Sequence, residues 1–120
     1  MTGGGVRTLL IVDDHDAFRA VARSLLEETF QVVGEAATGE QGVEMAAELR
    51  PDVVVMDVRL PGIDGLEATR RITSAIPETV VVLVSTQQRS ALAADLGACG
   101  AAGFVRKEDL DVPALTSLVG

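Results

Sequence analysis

Acidic residues follow two of the most apolar segments of the chain. Asp13 and Asp14 come directly after "LLIV", and Asp57 comes directly after "VVVM". Adjacent carboxylates repel each other, so each one raises the free energy that the other needs to ionise. Mg²⁺ binds oxygen ligands, commonly one or two carboxylates together with a phosphate oxygen. These residues therefore predict a site for Mg²⁺ or Mn²⁺ at which a phosphoryl group can bind.

A hydroxyl group and an ammonium group follow two further apolar segments. Ser85 ends "VVVLVS", and Lys107 follows "GFVR". Together with Asp57 they form the set of groups that phosphoryl transfer to a carboxylate needs. Asp57 would be the nucleophile, Lys107 would balance the phosphoryl charge, and Ser85 would donate a hydrogen bond to a phosphoryl oxygen. Little covalent work is left to the protein, because positioning and electrostatics carry most of such a transfer.

These residues can act together if the fold brings four strand ends to one edge of a sheet. Apolar β-branched segments alternate along the chain with segments of helical spacing. The predicted strands cover residues 8–12, 31–36, 53–56, 79–85 and 102–106. Continuously apolar strands are typical of a parallel sheet that helices cover on both faces. We therefore predict an α/β fold with a doubly wound, five-stranded parallel sheet, whose ligands bind beyond the carboxyl ends of the strands.

Five helices are predicted between and after these strands. The first helix has a set of apolar residues spaced to form one face: Phe18, Val21, Ala22, Leu25 and Leu26. The other helices correspond to "GEQGVEMAAELRP", "DGLEATRRITSAIP", "RSALAADLG" and "DVPALTSLVG". Asp64 is the expected N-cap of the third helix, and Gly97 is the expected end of the fourth.

The composition limits the class of protein. At 120 residues the chain is one domain by length, with a flexible tail predicted over 1–5 and the folded domain over 6–120. The 10 basic and 18 acidic residues give a net charge of −8, which argues against direct binding of nucleic acid. The apolar segments are far shorter than the roughly 20 residues of a membrane span, and no secretory signal is visible. A single cysteine, Cys99, excludes an internal disulfide and fits the cytoplasm.

The sequence resembles the receiver domain of bacterial two-component response regulators. The matching pieces are "IVDDH", "VVVMDVRLPGIDGLEATRRI", "VVVLVS" and "GAAGFVRKED", and the resemblance extends from about residue 6 to residue 119. It implies a flavodoxin-like fold with strand order 2-1-3-4-5. It also implies that Asp57 accepts the phosphoryl group and that Asp13, Asp14 and Asp57 bind the metal.

The resemblance implies further roles around this site. The backbone carbonyl of Arg59 would be another metal ligand, Lys107 the essential lysine, and Ser85 the switch hydroxyl. Phe104 would be the switch aromatic, a role that is compatible with its being an ordinary core residue. On phosphorylation Ser85 would move to the phosphoryl group and Phe104 would turn inward. This movement would repack the surface of the fourth helix, the fifth strand and the fifth helix.

The resemblance also implies partners. The phosphoryl donor would be a sensor histidine kinase, and a homodimer could form through the surface just described. The wording "DDH…LPGIDGLEATRRI" is most similar to the subfamily with a C-terminal helix-turn-helix output domain of LuxR type. DNA would be contacted through such an output domain, which these residues do not contain. The chain would not be an enzyme in the usual sense, because it would catalyse only its own phosphorylation and dephosphorylation.

Several residues depart from the family pattern and keep alternatives open. Glu108 follows Lys107 where many members have proline, Arg106 stands where an apolar residue is usual, and Thr86 replaces a very small residue. Arg106 predicts that the fifth strand is less buried or lies at the sheet edge, and Thr86 predicts crowding of the phosphoryl site. A receiver that acts as an interaction module without phosphorylation is the alternative function.

Other site chemistries are less favoured by the sequence. A phosphohydrolase with an aspartyl nucleophile usually has a second Asp two positions later, where this chain has Arg59. A flavin site is disfavoured because no phosphate-binding loop follows the first strand and stacking aromatics are missing, so no organic cofactor is predicted. His15 is interpreted as a polar residue at the start of the first helix rather than as a phosphoryl acceptor or a metal ligand.

Overall fold

The computed structural model of the chain describes residues 6–86 and 98–119. Within them, strands occur at β1 (Thr8–Val12), β2 (Gln31–Ala36), β3 (Val53–Asp57), β4 (Val80–Ser85) and β5 (Gly103–Arg106). All neighbouring strands pair in parallel. Their order is β2-β1-β3-β4-β5. The predicted α/β fold, the parallel sheet and the strand order are therefore confirmed.

Helices connect the strands and cover the sheet. They are α1 (Asp16–Leu26), α2 (Gly39–Leu49), α3 (Gly65–Ala75) and a C-terminal helix (Val112–Val119), with a 3₁₀ turn at Lys107–Asp109. The predicted tail over 1–5 and the predicted fourth helix over 89–97 lie outside the described residues. None of the helices in the described part of the chain is long and apolar enough to cross a membrane.

The sheet is buried on both faces. In β1, Leu10 belongs to the cluster on the side of α2 and α3, whereas Leu9 belongs to the cluster on the side of α1 and the C-terminal helix. Both residues are fully buried. Because successive strand side chains point to opposite faces, a strand covered on both sides must be continuously apolar. This explains why β1, β3 and β4 appear in the sequence as nearly uninterrupted apolar segments, whereas the edge strands β2 and β5 contain polar residues.

Helix ends follow the local signals. The Thr38 side chain caps α2 by accepting a 3.0 Å hydrogen bond from the Gln41 N–H. Asp64 caps α3 by accepting a 2.9 Å hydrogen bond from the Glu67 N–H, so the predicted N-cap is confirmed. Such a cap typically contributes about 1 kcal/mol.

The apolar face predicted for α1 is too wide. Ala22 and Leu26 are buried and Phe18 is half-buried, but Val21 is 54% exposed and Leu25 is 43% exposed. The helix therefore contacts the sheet through a narrow stripe of every fourth residue. On the flank opposite Val21 and Leu25, Arg19 and Arg23 pair with Glu35 of β2. These ion pairs lie on one side of the stripe, so the helix leaves the apolar residues of its other flank in solvent.

Candidate functional site

Asp13 and Asp57 lie next to each other because the strands before them are paired in register. Val12 of β1 is the partner of Met56 of β3, so the next residue of each strand reaches the same point of the sheet edge. One ligand atom from each of four residues lies within 4.8 Å of all the others: Asp13, Asp14, His15 and Asp57. The structure thus brings together the three acidic residues that the sequence singled out.

Burial makes this cluster electrostatically unfavourable. Asp13 and Asp57 are buried, and Asp14 is at the surface. Desolvation raises the pKa of Asp57, and the negative charge of Asp13 raises it further. Lys107 and the Arg59 N–H act in the opposite direction on this pKa but do not outweigh burial. The ionised cluster is therefore a good environment for an added cation.

Lys107 lies between the two buried carboxylates. Its Nζ is 2.6 Å from Oδ2 of Asp13 and 3.4 Å from Oδ2 of Asp57. The ammonium also lies 4.5 Å from the centre of the Phe18 ring, a geometry in which the ring face attracts a cation. Lys107 follows β5 directly, so the ion pairs tie the edge of the sheet to its centre.

Ser85 and Thr86 lie on the β4 side of the site. Ser85 is buried, is the last residue of β4, and pairs in register with Arg106, the residue before Lys107. A cavity of about 180 Å³ is lined by Ser85, Thr86, Arg106, Lys107 and Glu108. Thr86 and Arg106 are exposed, and β5 is an edge strand. The predicted edge position of the fifth strand is confirmed.

Arg59 and Phe104 take up different positions. The Arg59 N–H donates a 3.3 Å hydrogen bond to Oδ1 of Asp57, so its peptide lies beside the acidic cluster. Its carbonyl as a metal ligand remains a prediction. Phe104 is half-buried and packs against the cluster on the side of α2 and α3. It also lines a groove with Ser117 and Leu118 of the C-terminal helix, so it connects the core to the surface predicted to change.

The first turns of α1 contribute contacts that the sequence analysis did not assign to the site. Phe18 was assigned only to the core, yet its ring lies under Lys107. Arg19 Nη1 donates a 2.6 Å hydrogen bond to the Asp13 carbonyl. His15 precedes the helix as predicted, and its Nδ1 lies 3.1 Å from Asp13 and 3.2 Å from Asp14. A signal existed, because helical side chains point back toward the N-terminus of the helix and α1 begins beside the acidic pair.

Gly65 lets α3 begin directly against the phosphoacceptor candidate. Its N–H donates a 2.8 Å hydrogen bond to the Val58 carbonyl. A Cβ at this position would lie only 1.9 Å from the carbonyl oxygen of Asp57. Any larger residue would therefore displace either α3 or the backbone of Asp57.

The donor set fits a hard divalent cation. Carboxylate oxygens dominate the cluster, and such oxygens are the ligands that Mg²⁺ and Mn²⁺ prefer. The two buried carboxylates share a single ammonium group, Lys107. With Asp14 beside them, the described residues leave negative charge that a metal ion would balance.

Comparison with known proteins agrees with this arrangement. Residues 9–119 match the family described as the response regulator receiver domain. The response regulator GacA of Pseudomonas aeruginosa is 46% identical over 101 residues, which are 82% of this chain and 47% of GacA. The chain spans about half the length of the curated relatives it matches.

Solved structures show the same fold. A LuxR-family two-component response regulator from Aurantimonas superposes with a TM-score of 0.87 at 33% identity, covering 96% of this chain and 86% of that one. The signal receiver domain of NarL from Mycobacterium tuberculosis superposes with a TM-score of 0.85 at 32% identity, covering 94% and 95%. The family match over residues 9–119 includes both strand ends that carry the acidic cluster.

Proposed function

Since the chain belongs to the response regulator receiver domain family, we propose that Asp57 accepts a phosphoryl group from a sensor histidine kinase in a reaction that depends on Mg²⁺ or Mn²⁺. The observation that carries the proposal is the position of Lys107, whose Nζ lies 2.6 Å from Asp13 and 3.4 Å from Asp57. A buried carboxylate with a cation and further carboxylates beside it can be a nucleophile for phosphorus.

The side chains would divide the work of transfer. A carboxylate oxygen of Asp57 forms the new P–O bond while the P–N bond to the kinase histidine breaks. Lys107 balances charge on the phosphoryl oxygens as a point cation, and Ser85 donates a hydrogen bond to one of them. Asp13, Asp14, Asp57 and the Arg59 carbonyl would hold the metal ion. When bound, that ion supplies positive charge to the phosphoryl oxygens.

The output would be a change of surface. Ser85 and Phe104 lie on the neighbouring strands β4 and β5. A shift of the Ser85 hydroxyl toward the phosphoryl group can therefore change the packing of the Phe104 ring. The groove between Phe104 and the C-terminal helix is the described part of the surface that would change. A homodimer could form there, and an output domain elsewhere in the protein would contact DNA and control transcription. The LuxR-family neighbour supports this kind of output.

Receiver domains of response regulators are signalling proteins rather than classical enzymes. The catalysis proposed here is limited to the chain's own phosphorylation and dephosphorylation. No observation among the described residues or the related proteins favours the alternative of an interaction module that works without phosphorylation.

Labelling with a small acyl phosphate tests the proposal. Wild-type protein should gain the mass of one phosphoryl group when Mg²⁺ is present and should stay unmodified when Mg²⁺ is chelated. Asp57→Ala should stay unmodified under both conditions. Asp64→Asn is the matched control, because it removes a carboxylate from the same connecting segment while Asn still caps α3. If Asp57→Ala is labelled as well as wild type, Asp57 is not the acceptor.

A further inference from the structure

We propose that Arg19 is a positioning residue for the metal site, because it holds the peptide that joins Asp13 to Asp14. The inference rests on the proposed function. Arg19 is the fourth residue of α1. Among the described residues, it makes no contact with the side chains of Asp13, Asp14 or Asp57. It acts on the backbone between them.

The guanidinium of Arg19 makes contacts on three sides. Nη1 donates a 2.6 Å hydrogen bond to the Asp13 carbonyl. Nε donates a 3.2 Å hydrogen bond to Glu35 Oε1, and Nη2 pairs with Asp16. The side chain is 16% exposed. A planar guanidinium with partners on several edges has little freedom to turn, so the donor aimed at Asp13 is held in place.

The anchor of Arg19 is itself fixed. Glu35 belongs to β2 and accepts a second hydrogen bond of 2.7 Å, from Arg23 Nε. The next residue of β2, Ala36, accepts a 3.0 Å hydrogen bond from the Asp13 N–H. Asp13 is thus tied to β2 at its N–H directly and at its carbonyl through Arg19.

The hydrogen bond to the Asp13 carbonyl decides the direction of the backbone between Asp13 and Asp14. The peptide bond is planar, so holding the Asp13 carbonyl also fixes the direction of the Asp14 N–H. The Asp13 side chain has other partners: the His15 N–H donates to Oδ1 at 2.8 Å, and Lys107 pairs with Oδ2. Asp14 lies at the surface, and its carboxylate is 3.2 Å from the exposed His15 ring. The peptide held by Arg19 therefore orients a ligand that is otherwise poorly constrained.

Charge and positioning predict opposite effects when Arg19 is replaced. Loss of a positive charge near the carboxylates would by itself strengthen the binding of a cation. Loss of the carbonyl contact would misorient Asp13 and Asp14 and weaken binding. The direction of the change in Mg²⁺ affinity therefore distinguishes the two roles.

The chain offers a matched control in Arg23. This residue lies one turn later on α1 and pairs with the same Glu35, but among the described residues it makes no contact with Asp13 or Asp14. Arg23→Gln removes the same charge and one hydrogen bond to Glu35. Arg19→Gln removes the same charge, one hydrogen bond to Glu35 and the Asp13 contact, together with an ion pair to the exposed Asp16. Arg19→Lys keeps the charge, but a single ammonium group cannot bind the Asp13 carbonyl and Glu35 at the same time as the planar guanidinium does.

Two measurements on wild type and the three variants test the inference. Mg²⁺ titration, monitored by backbone amide resonances, gives the Mg²⁺ Kd, and urea unfolding gives the stability. We expect Arg19→Gln and Arg19→Lys to raise the Mg²⁺ Kd by about three- to tenfold, at or below the lower end of the effect of residues that orient metal ligands. In metal-free protein their Asp14 and His15 amide resonances should shift. Arg23→Gln should keep its Mg²⁺ Kd within about twofold of that of wild type. Its urea unfolding midpoint should still fall, because the ion pair with Glu35 is lost.

The outcomes separate this inference from the proposed function. Arg19→Gln binding Mg²⁺ as tightly as wild type, or more tightly, would overturn the positioning role, as would equal weakening in Arg23→Gln. If Arg19→Gln does not fold, Arg19→Lys decides by the same criteria. Failure of the wild-type chain both to bind Mg²⁺ at millimolar concentration and to be labelled would instead overturn the proposed function, and it would be seen before any variant is measured.

Discussion

The two halves of the candidate site are held in different ways. In the acidic half, Asp13 is buried and has a partner at its N–H, its carbonyl and both side-chain oxygens. In the β4–β5 half, Ser85 is buried but Thr86, Arg106 and Glu108 are exposed around a cavity at the edge strand. The comparison indicates that Asp13, in the half that would bind a metal, has partners on every side, whereas the half that would respond to phosphate is open at the sheet edge.

Lys107 joins the two halves. It follows the edge strand β5, yet its ammonium reaches the centre of the sheet at Asp13. A phosphoryl group on Asp57 would compete with Asp13 for this ammonium, because each is an anion within its reach. Lys107 therefore connects the two halves, so that a change of charge at Asp57 can alter the position of the edge strand β5.

In the acidic half, the largest loss of stability is expected for a substitution at Gly65. Gly65→Ala places a Cβ 1.9 Å from the Asp57 carbonyl oxygen, where backbone must move. We expect a loss of about 3 kcal/mol in the free energy of unfolding, at the top of the range for overpacking, measured by urea denaturation. Gly34→Ala is the control, because its Cβ would meet the flexible end of Met45 at 2.5 Å and should cost about 1 kcal/mol. Equal losses in both variants would contradict the rigid contact.

Replacing Lys107 should affect metal binding and phosphoryl transfer in opposite directions. Lys107→Met leaves buried Asp13 without its cation, so we expect about 2 kcal/mol lower stability in metal-free buffer, less than for a fully buried pair. Mg²⁺ should bind this variant more tightly than wild type, because the competing ammonium is gone. Labelling by an acyl phosphate should fall by about a hundredfold. Unchanged labelling would show that the lysine does not act on the phosphoryl group.

The buried charge of Asp57 should make the stability of the metal-free chain depend on pH. Because its pKa is raised in the folded state, the stability associated with this group is present below its ordinary pKa and is lost as the pH rises through the raised value. Asp57→Asn should remove this loss. In metal-free buffer the urea midpoint of the variant should therefore exceed that of wild type by a margin that grows from pH 4 to pH 7, whereas a constant margin would contradict the assignment.

Thr86 should give the smallest effect and should sharpen the contrast. Its side chain is exposed at the cavity, so Thr86→Ala should change the free energy of unfolding by less than about 0.5 kcal/mol. The substitution removes the hydroxyl and methyl groups of Thr86 and should enlarge the cavity. Labelling or dephosphorylation should then be about twofold to tenfold faster, which corresponds to a barrier lowered by at most about 1.4 kcal/mol. Rates measured by mass spectrometry would test this, and identical rates would show that Thr86 does not crowd the site.

Sequence reasoning succeeded where the signal is local. The five strands and the Asp64 cap were predicted because apolar runs and capping residues act over a few neighbours. The sequence analysis was wrong about Val21 and Leu25, which have the spacing of a core face but lie exposed. Spacing identifies which residues share a face, but the rotation of a helix on its sheet depends on distant partners such as Glu35.

By itself, the sequence determined that Asp57 and Ser85 end apolar strands and that Asp13 and Lys107 directly follow two others. The parallel βα alternation places the carboxyl ends of all these strands at one edge of the sheet. Only the tertiary structure decided which distances result: Lys107 between two carboxylates, and Arg19 on the Asp13 carbonyl. These contacts join residues from different elements. They depend on the register of the strands and on the rotation of each helix against the sheet. Neither can be predicted from a local sequence pattern, because both are set by packing between distant residues.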